Sequence, residues 1–348
     1  MEDVSFFLAA ITTVYGQHPR AIAPLRRNNP EGKRLYRVDF SEGSSWTMRA
    51  YKQSYATTDM FHWLSRSPSL IEWLQARAHI LAYIATQGYP APAVVPTQTG
   101  VLIGKHEEWY ILMTTFVNGE AKDAGPEKIA ALSTSLGHLH TLTLPKPGTS
   151  LNSLPDSWWT QACLHDGLTR LVSSVHTIPE EWHVFYKACL QTFRYFLDHA
   201  PLPQTLIHGD CWAENGIQTH EGQALLIDWE CAGVGISVLD FGSLLLHCHF
   251  DQRDRFEQSI APEYEPDPQR ITAVVNGYSR WRRLLPEEDD ALLEAIRFSI
   301  AWRVTWFFSL LEKGGSNKWL KYALTRWYRW YVISEEIARL SHIALEQV

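Results

Sequence analysis

The sequence has few cysteines, and their spacing excludes two common kinds of structural site. Five cysteines occur among 348 residues, and none of them forms a Cys-x-x-Cys pair or joins histidines at the spacing of a zinc site. Free thiols in a reducing compartment are therefore expected. The first residues also lack the basic region that begins a signal peptide. Together these features predict a cytoplasmic protein.

Long apolar runs and an excess of basic residues are missing as well. No stretch of about 18 uncharged apolar residues occurs, the length that a membrane-spanning helix requires. The formal net charge is −7 at pH 7, whereas proteins that hold nucleic acid or anionic lipid through their overall charge are basic. We therefore expect no nucleic-acid partner and no membrane partner.

The pattern of polar and apolar residues predicts an α+β fold in two parts. Up to residue 113, short alternating stretches bounded by turns predict an antiparallel sheet that carries one substantial helix. Beyond residue 119 helical periodicity predominates, with three short β segments between residues 205 and 227. The strands of the first part are expected at 35–40, 46–51, 93–96, 101–103 and 109–113. The helices are expected at 4–15, 68–87, 126–142, 179–199, 287–311 and 317–340.

Three polar residues in the second part stand at a spacing typical of phosphoryl transfer. Asp210 follows a short apolar segment, Asn215 comes next, and Asp228 ends a second apolar segment. One carboxylate can orient a hydroxyl, while an amide oxygen and another carboxylate can hold Mg²⁺ on a nucleotide. We therefore predict Asp210 as the catalytic residue and Asn215 and Asp228 as the metal ligands. Each could singly be a turn or capping residue, but their joint spacing favours the catalytic interpretation.

Other polar residues near these three have competing interpretations. His208 invites a catalytic role, but a histidine inside such a loop more often bonds to backbone and fixes the loop, and we favour that role. Glu230 would face the same side as Asp228 if the strand continued, and it is either a ligand of a second metal or a solvated surface residue. Residues 240–242 spell Asp-Phe-Gly, but Asp228 already occupies the metal position.

These motifs resemble those of the aminoglycoside phosphotransferase and choline kinase-like family of small-molecule kinases. The family motif H-x-D-x-x-x-x-N is met by His208, Asp210 and Asn215, and its I-D-W/F-E element by residues 227–230. Two supporting matches are the Leu-Gly-x-Leu-His helix end at 136–140 and the hinge strand at 110–120.

The resemblance covers roughly residues 20–250 and implies a protein-kinase-like, two-lobed fold. A small, β-rich nucleotide-binding lobe would span residues 1–115, and a larger, mostly helical catalytic and acceptor-binding lobe would span residues 116–348. The implied cofactor is Mg²⁺, and the implied co-substrate is ATP or GTP. Asp240 would match a structural aspartate of the family that caps the next helix.

The resemblance also implies how the nucleotide is bound. Adenine would bond to the hinge backbone at Thr115 and Val117, and Arg49 would grip the phosphates at a position where many members have lysine. A phosphate-covering turn is expected near residues 27–33.

One position of the nucleotide site departs from the family pattern. The helix glutamate that usually pairs with the strand cation falls at Arg77, and the nearest upstream acid is Glu72. Either Glu72 supplies the partner of Arg49 or Arg49 has none. The second alternative keeps open a nucleotide-binding protein with little or no catalytic activity.

The expected reaction is phosphorylation of a hydroxyl on a small molecule, such as an aminoglycoside, choline or homoserine. The acceptor region is expected to contain Glu263, Glu265, Asp267, the acids of 287–290, Trp302 and Trp306. Acids and indole rings could hold a cationic acceptor. Alternatively, the acids favour helix N-termini and the indoles belong to the core. The sequence does not predict the oligomeric state.

Overall fold

The computed structural model describes residues 4–25, 32–58, 69–119, 125–145, 159–173, 175–199, 201–250, 265–312 and 318–348. The described residues up to Asn118 form one compact unit, and those from Gly119 onward, apart from Pro145, form a second. Each unit has its own secondary structure and is described by itself.

The first unit is a five-stranded antiparallel sheet with two helices. Its strands run in the order β1-β2-β3-β5-β4. The elements are α1 (Val4–Tyr15), β1 (Pro19–Pro24), β2 (Lys33–Phe40), β3 (Ser45–Lys52), α2 (Leu70–Thr86), β4 (Ile103–His106) and β5 (Trp109–Thr115).

Alternation along the strands gives this sheet two apolar faces, and each face packs against one helix. On one face Met48 and Ala50 join the apolar cluster of α1, which includes Phe7. On the other face Tyr51 and Leu112 join the cluster of α2. Side chains of a strand alternate between faces, so Arg49, which pairs with Leu112, lies on the face that α2 covers.

The second unit is mostly helical and contains two small antiparallel ribbons, β6 with β9 and β7 with β8. Its strands are β6 (Gln204–Ile207), β7 (Gly216–Gln218), β8 (Ala224–Leu226) and β9 (Gly233–Ile236). Its helices are α3 (Pro126–Leu139), α4 (Gln161–Ser173), α5 (His183–Asp198), α6 (Ser237–His247), α7 (Pro268–Ser279), α8 (Pro286–Asp290), α9 (Leu292–Glu312) and α10 (Lys318–Leu345).

Helices α3 and α7 approach each other closely, and this approach places polar residues beside the loop that follows β6. A Cβ atom at Gly137 would lie 2.6 Å from the backbone oxygen of Tyr278, so the contact requires glycine there. The Ser133 hydroxyl donates to the carbonyl oxygen of Val274 across the same interface, at 2.6 Å. The end of α3 is thereby held against Tyr278, and His140 follows at that end.

Several elements differ from the sequence-based expectation. Residues 93–96 form only an isolated bridge at Val94, because prolines flank the segment and cannot donate to a ladder. The helix expected at 287–311 is two helices, α8 and α9, which are separated at Ala291. Strand β1 and helix α4 were not predicted.

The helices and the cysteines can be compared with what the composition predicted. No helix of the described residues is both long and apolar enough to cross a membrane. All five cysteines are free and buried. Burial raises the pKa of the Cys189 and Cys211 thiols well above the usual value.

His249, which follows α6, is a half-buried histidine whose Nε2 atom is fully enclosed. Its Nδ1 lies 3.1 Å from the carbonyl oxygen of Leu246, and its ring lies against Trp330 at 5.4 Å between centroids. Its Nε2 is buried and has no hydrogen-bond partner among the described residues. Burial lowers the pKa of His249 to about 4.

We predict that this histidine makes the folded protein sensitive to acid. The unfolded chain takes up its proton near pH 6.5, whereas the folded protein does so only near pH 4. Between these values the unfolded state binds more protons, so the free energy of unfolding falls as the pH is lowered, by about 3 kcal/mol in total. Urea unfolding of the wild type and of His249→Gln from pH 7 to pH 4 measures this difference. Equal pH slopes in the two proteins would contradict it.

Candidate active site

The loop that carries Asp210 leaves β6 through a backbone turn that needs glycine. Gly209 has φ +76°, a left-handed conformation that side chains other than glycine adopt only with strain. A Cβ atom at Gly209 would also lie 2.5 Å from the carbonyl oxygen of Cys231. The chain therefore passes directly over the segment that follows β8, and it is this close passage that brings Asp210 towards Asp228.

His208 has the contacts of a residue that fixes the loop. Its ring is fully buried, and its Nε2 lies 2.9 Å from the carbonyl oxygen of Ile227. Its Nδ1 accepts from the backbone N–H of Asp210 at 3.4 Å, which assigns the ring proton to Nε2. The imidazole thus connects the residue before Asp228 to the backbone of Asp210. These contacts agree with the scaffold role that the sequence analysis favoured.

The carboxylate of Asp240 anchors the beginning of the same loop. It accepts from the backbone N–H of His208 at 2.7 Å and from that of Gly209 at 3.2 Å. Asp240 lies within the first turn of α6 and is fully buried. Its hydrogen bonds therefore hold the catalytic loop rather than cap the helix, which corrects the role that the resemblance implied for it.

A chain of buried polar groups continues from Asp240 to α8. His140 Nε2 lies 3.3 Å from the Asp240 carboxylate, and His140 Nδ1 lies 2.8 Å from the Tyr278 hydroxyl. Arg282 donates to that hydroxyl at 3.0 Å and to the carboxylate of Glu288 at 2.8 Å. Burial raises the pKa of Tyr278, so its hydroxyl stays protonated and can donate to His140 while it accepts from Arg282. We name these five residues the anchor network.

Asp210 is held closely at one of its two carboxylate oxygens. Asn215 Nδ2 donates both to the backbone oxygen of Asp210 and to its Oδ2, each at 2.8 Å. The carboxylate keeps about a quarter of its side-chain surface exposed. One oxygen of Asp210 is thus fixed by Asn215, whereas the other, Oδ1, has only a 3.5 Å contact with Arg303.

Strands β7 and β8 bring Asn215 and Asp228 together. Gly216 pairs with Leu226, and the backbone N–H of Ile227 donates to the carbonyl oxygen of Asn215 at 2.8 Å. The two predicted metal ligands therefore stand at the same end of one hairpin. Asp228 has φ 65° and ψ 56°, a left-handed conformation that aspartate and asparagine tolerate better than most residues. This turn ends the strand, so the continued strand that would have aligned Glu230 with Asp228 is absent.

The donor set at this end of the hairpin fits Mg²⁺. Both side-chain hydrogen bonds of Asn215 are made through Nδ2, and its Oδ1 has no partner among the described residues. Asp228 adds a carboxylate, which brings the set to one neutral and one anionic oxygen donor. Mg²⁺ usually takes one or two carboxylates and completes its shell with phosphate and water. The two residues can therefore hold the metal of a nucleotide complex.

Arg303 also belongs to this site, although the sequence analysis did not identify it. Its Nη2 lies 3.5 Å from Asp210 Oδ1, and its guanidinium lies over the ring of Trp327 at 5.8 Å. Arg303 is on α9, 93 residues after Asp210 in the chain. The only signal in the sequence was its position between Trp302 and Trp306, which drew attention to the indoles instead.

The residues predicted to bind phosphate lie in the first unit. Arg49 is half-buried on β3 and forms no ion pair with any described acid. Glu72 is exposed in the first turn of α2, where its backbone N–H bonds to Ser69. Arg77 is buried on the same helix, and its guanidinium lies 5.8 Å from the Trp73 ring. Within the described residues Glu72 does not pair with Arg49. The phosphate-covering turn expected near 27–33 lies mostly outside the described residues.

The two predicted hinge residues, Thr115 and Val117, each keep one backbone hydrogen-bonding group that the described residues do not use. The backbone N–H of Thr115 donates to Ala93, and its hydroxyl accepts from Ala93, so its carbonyl oxygen is the group left to accept a hydrogen bond. The backbone N–H of Phe116 donates to Ser45. The backbone N–H of Val117 has no hydrogen-bond partner among the described residues. One acceptor and one donor, two residues apart, therefore remain at this edge.

The sequence of this chain matches the model of one protein family. The model of the phosphotransferase enzyme family matches residues 44–274, which is more than half of the chain. The chain belongs to the phosphotransferase enzyme family. No curated protein sequence matches it.

Solved structures of other phosphotransferases share the fold at low sequence identity. An amicoumacin kinase in complex with AMP-PNP, Ca²⁺ and Ami has a TM-score of 0.65 and 13% identity, over 97% of this chain and 93% of that chain. A choline kinase from Cryptosporidium parvum Iowa II has a TM-score of 0.63 and 13% identity, over 99% of each chain. A spectinomycin phosphotransferase in complex with ADP and spectinomycin has a TM-score of 0.59 and 12% identity, over 99% of this chain and 98% of that chain.

These similarities confirm the fold class and the family that the sequence predicted. The fold is α+β and protein-kinase-like, with the antiparallel sheet in the first unit and a mostly helical remainder. As a member of the phosphotransferase enzyme family, the protein is a small-molecule kinase.

Three of the acidic residues expected around the acceptor of this phosphotransferase have structural partners. Asp267 caps α7 by accepting from the backbone N–H groups of residues 269 and 270. Glu288 is fully buried and bonds to Arg282, and Asp289 pairs with His342 at 3.1 Å. Trp302 packs against the rings of Phe193 and Phe298. These contacts match the structural alternative for each of them. Glu263 lies outside the described residues.

We predict that Asp240→Asn loosens the catalytic loop. The amide offers one acceptor oxygen in place of two, so one of the two loop N–H groups loses its buried partner. We expect the free energy of unfolding to fall by about 2 kcal/mol and the amide hydrogens of His208 and Gly209 to exchange faster. Urea unfolding and hydrogen exchange measure both effects. Asp267→Asn is the matched control, because asparagine caps a helix as well as aspartate does, and equal stability of the two variants would refute the anchor role.

Proposed function

We propose that the protein transfers the terminal phosphoryl group of ATP or GTP, as a Mg²⁺ complex, to a hydroxyl of a small molecule. One observation carries this proposal: Asn215 bonds to Asp210 and shares a hairpin end with Asp228. This arrangement gives a hydroxyl-binding carboxylate beside a pair of hard oxygen donors. Phosphoryl transfer needs those two elements in contact, because its rate depends on alignment and charge stabilisation.

Oδ1 of Asp210 would orient the acceptor hydroxyl and take its proton. As the hydroxyl oxygen bonds to the γ-phosphorus, the bond from that phosphorus to the bridging oxygen of the β-phosphate breaks. The nucleoside diphosphate leaves with the bonding electrons, and the hydroxyl proton passes to Asp210 Oδ1. Because Asn215 holds Oδ2, the carboxylate cannot rotate away from the hydroxyl.

Asn215 Oδ1 and the carboxylate of Asp228 would hold the metal. When bound, Mg²⁺ neutralises charge on the phosphates and so favours departure of the diphosphate. His208 bonds to Ile227 and to the backbone of Asp210, and it would keep the ligand and the base at a fixed separation.

The first unit would supply the nucleotide contacts. The carbonyl oxygen of Thr115 and the N–H of Val117 offer the acceptor and the donor that an adenine edge requires. Arg49 would contact the α- and β-phosphates. Its guanidinium is permanently charged, so the contact does not depend on a nearby acid to keep the cation protonated.

We predict that Asp210→Asn and Asp228→Asn both reduce turnover, with different responses to metal. Loss of the base is expected to lower kcat by about 10²- to 10⁴-fold at every Mg²⁺ concentration. Loss of the anionic ligand is expected to raise the Mg²⁺ concentration needed for half-maximal rate, and asparagine keeps the left-handed turn. Transfer of labelled γ-phosphate to amino sugars, amino alcohols and hydroxy amino acids measures both effects.

The control variant is Asp267→Asn, which alters a carboxylate of the same unit outside the catalytic loop. Turnover that survives Asp210→Asn would refute the assignment of the base. Binding of the nucleotide complex without transfer to any acceptor or water would instead support the inactive nucleotide-binding protein that the missing family glutamate at Arg77 left open.

A further inference from the structure

The acceptor side of Asp210 is lined by cations and aromatic rings. Arg303 lies beside Asp210 Oδ1, and its guanidinium stacks over Trp327. Trp327 contacts Phe250, with 5.9 Å between ring centroids, and the guanidinium of Arg326 lies 5.3 Å from that Phe250 ring. We name Arg303, Trp327, Phe250 and Arg326 the acceptor wall. All four residues lie in the second unit, on α9, on α10 and just after α6.

Arg303 has hydrogen-bonding capacity that the described protein does not use. A guanidinium carries five N–H donors. Its single polar contact in the described residues is the one to Asp210, at 3.5 Å, which is longer than the 2.7–2.9 Å of a close ion pair. Its side chain is 28% exposed. The group is thus accessible, held in place by Trp327, and able to bind a further anion.

The side of Asp210 on which Arg303 lies identifies what it would bind. Asn215, the predicted metal ligand, occupies Oδ2, whereas Arg303 stands at Oδ1. Phosphate oxygens that share a metal with Asn215 belong to the Oδ2 side. The reacting hydroxyl belongs to the Oδ1 side, and so does the rest of the acceptor molecule.

Charge at the acceptor wall argues against an amine as the recognised group. Three described acids of the expected acceptor region are engaged elsewhere: Asp267 in a helix cap, Glu288 with Arg282, and Asp289 with His342. Glu294, on the same helix as Arg303, pairs with Arg297 at 2.8 Å. Within the described residues, the charged side chain that contacts Oδ1 is the cation Arg303.

We propose that Arg303 determines acceptor specificity by binding a carboxylate of the acceptor, so that the preferred substrates are small hydroxy acids. A guanidinium matches the planar geometry of a carboxylate and can bond to both of its oxygens. An acceptor would bind Asp210 through its hydroxyl and Arg303 through its carboxylate, each with a hydrogen bond of about 2.8 Å. In such an acceptor the hydroxyl and the carboxylate are separated by only a few covalent bonds. This inference rests on the proposed function, because it takes Asp210 as the residue that orients the hydroxyl.

The test uses pairs of acceptors that differ only in the carboxylate. Homoserine is compared with 3-aminopropan-1-ol, and serine with 2-aminoethanol, in a γ-phosphate transfer assay with Mg²⁺ and ATP. In the pair that is phosphorylated faster, we expect the wild type to show a kcat/KM about 10- to 100-fold higher for the amino acid than for the amino alcohol. Arg303→Gln should remove this preference by raising the KM of the acid, so that the ratio of kcat/KM within each pair falls to about 1. Arg303→Lys should restore part of the preference, because the charge remains but the planar fork is lost.

The matched control is Arg297→Gln, on the same helix but paired with Glu294 and Glu335. It should leave the ratio within each pair unchanged. A wild type that prefers the amino alcohols, or that does not discriminate, overturns the inference. So does an Arg303→Gln variant that loses kcat equally with both members of a pair, because the residue would then act on the transferred phosphoryl group.

A binding measurement separates failure of this inference from failure of the proposed function. If neither member of any pair is phosphorylated, the proposed function fails for these acceptors. Calorimetric titration with homoserine and with 4-hydroxybutanoate then tests Arg303 directly. Binding by the wild type that Arg303→Gln loses and Arg297→Gln keeps supports a carboxylate site. Absence of binding to the wild type, or equal binding by all three proteins, overturns it.

Discussion

The active site depends on one buried carboxylate, that of Asp240. Two backbone N–H groups of the catalytic loop and the His140 ring converge on it in a fully buried position. A buried charge is stable only when its hydrogen-bonding capacity is filled, so the loop must adopt the conformation that fills it. That conformation places the imidazole of His208 between Asp210 and the residue before Asp228. Catalytic geometry here is thus a consequence of satisfying a buried charge.

The proximity of the three predicted site residues could be inferred from the sequence because their geometry is local, and their catalytic and metal-binding roles stay predictions. Asp210, Asn215 and Asp228 lie within one loop and one hairpin, so their separation in the chain nearly determines their separation in space. Strand β1 was missed because its six residues include two prolines and none of them is fully buried. Helix α4 was missed although its buried residues recur at helical spacing. The assignments of Arg49, Thr115 and Val117 came from the resemblance, and they remain predictions.

The partners of these three residues could not be predicted, because each comes from a distant helix. Tyr278 approaches His140 only because two helices make a contact that requires Gly137. Arg303 reaches Asp210 through the position of α9 in the unit, which no local pattern encodes. The four consecutive acids at 287–290 were considered as a cation site. A run of acids in the sequence does not show that one of them, Glu288, is buried against an arginine.

The left-handed backbone at Asp228 sets stability and activity against each other at a single position. A non-glycine residue in this conformation costs about 1–3 kcal/mol, which glycine would largely recover. Glycine, however, has no oxygen to offer a metal. Selection for a more stable chain therefore favours glycine at this position, whereas selection for phosphoryl transfer retains aspartate. Homologues that keep the proposed activity should therefore have aspartate at this turn, and homologues that have lost it should often have glycine.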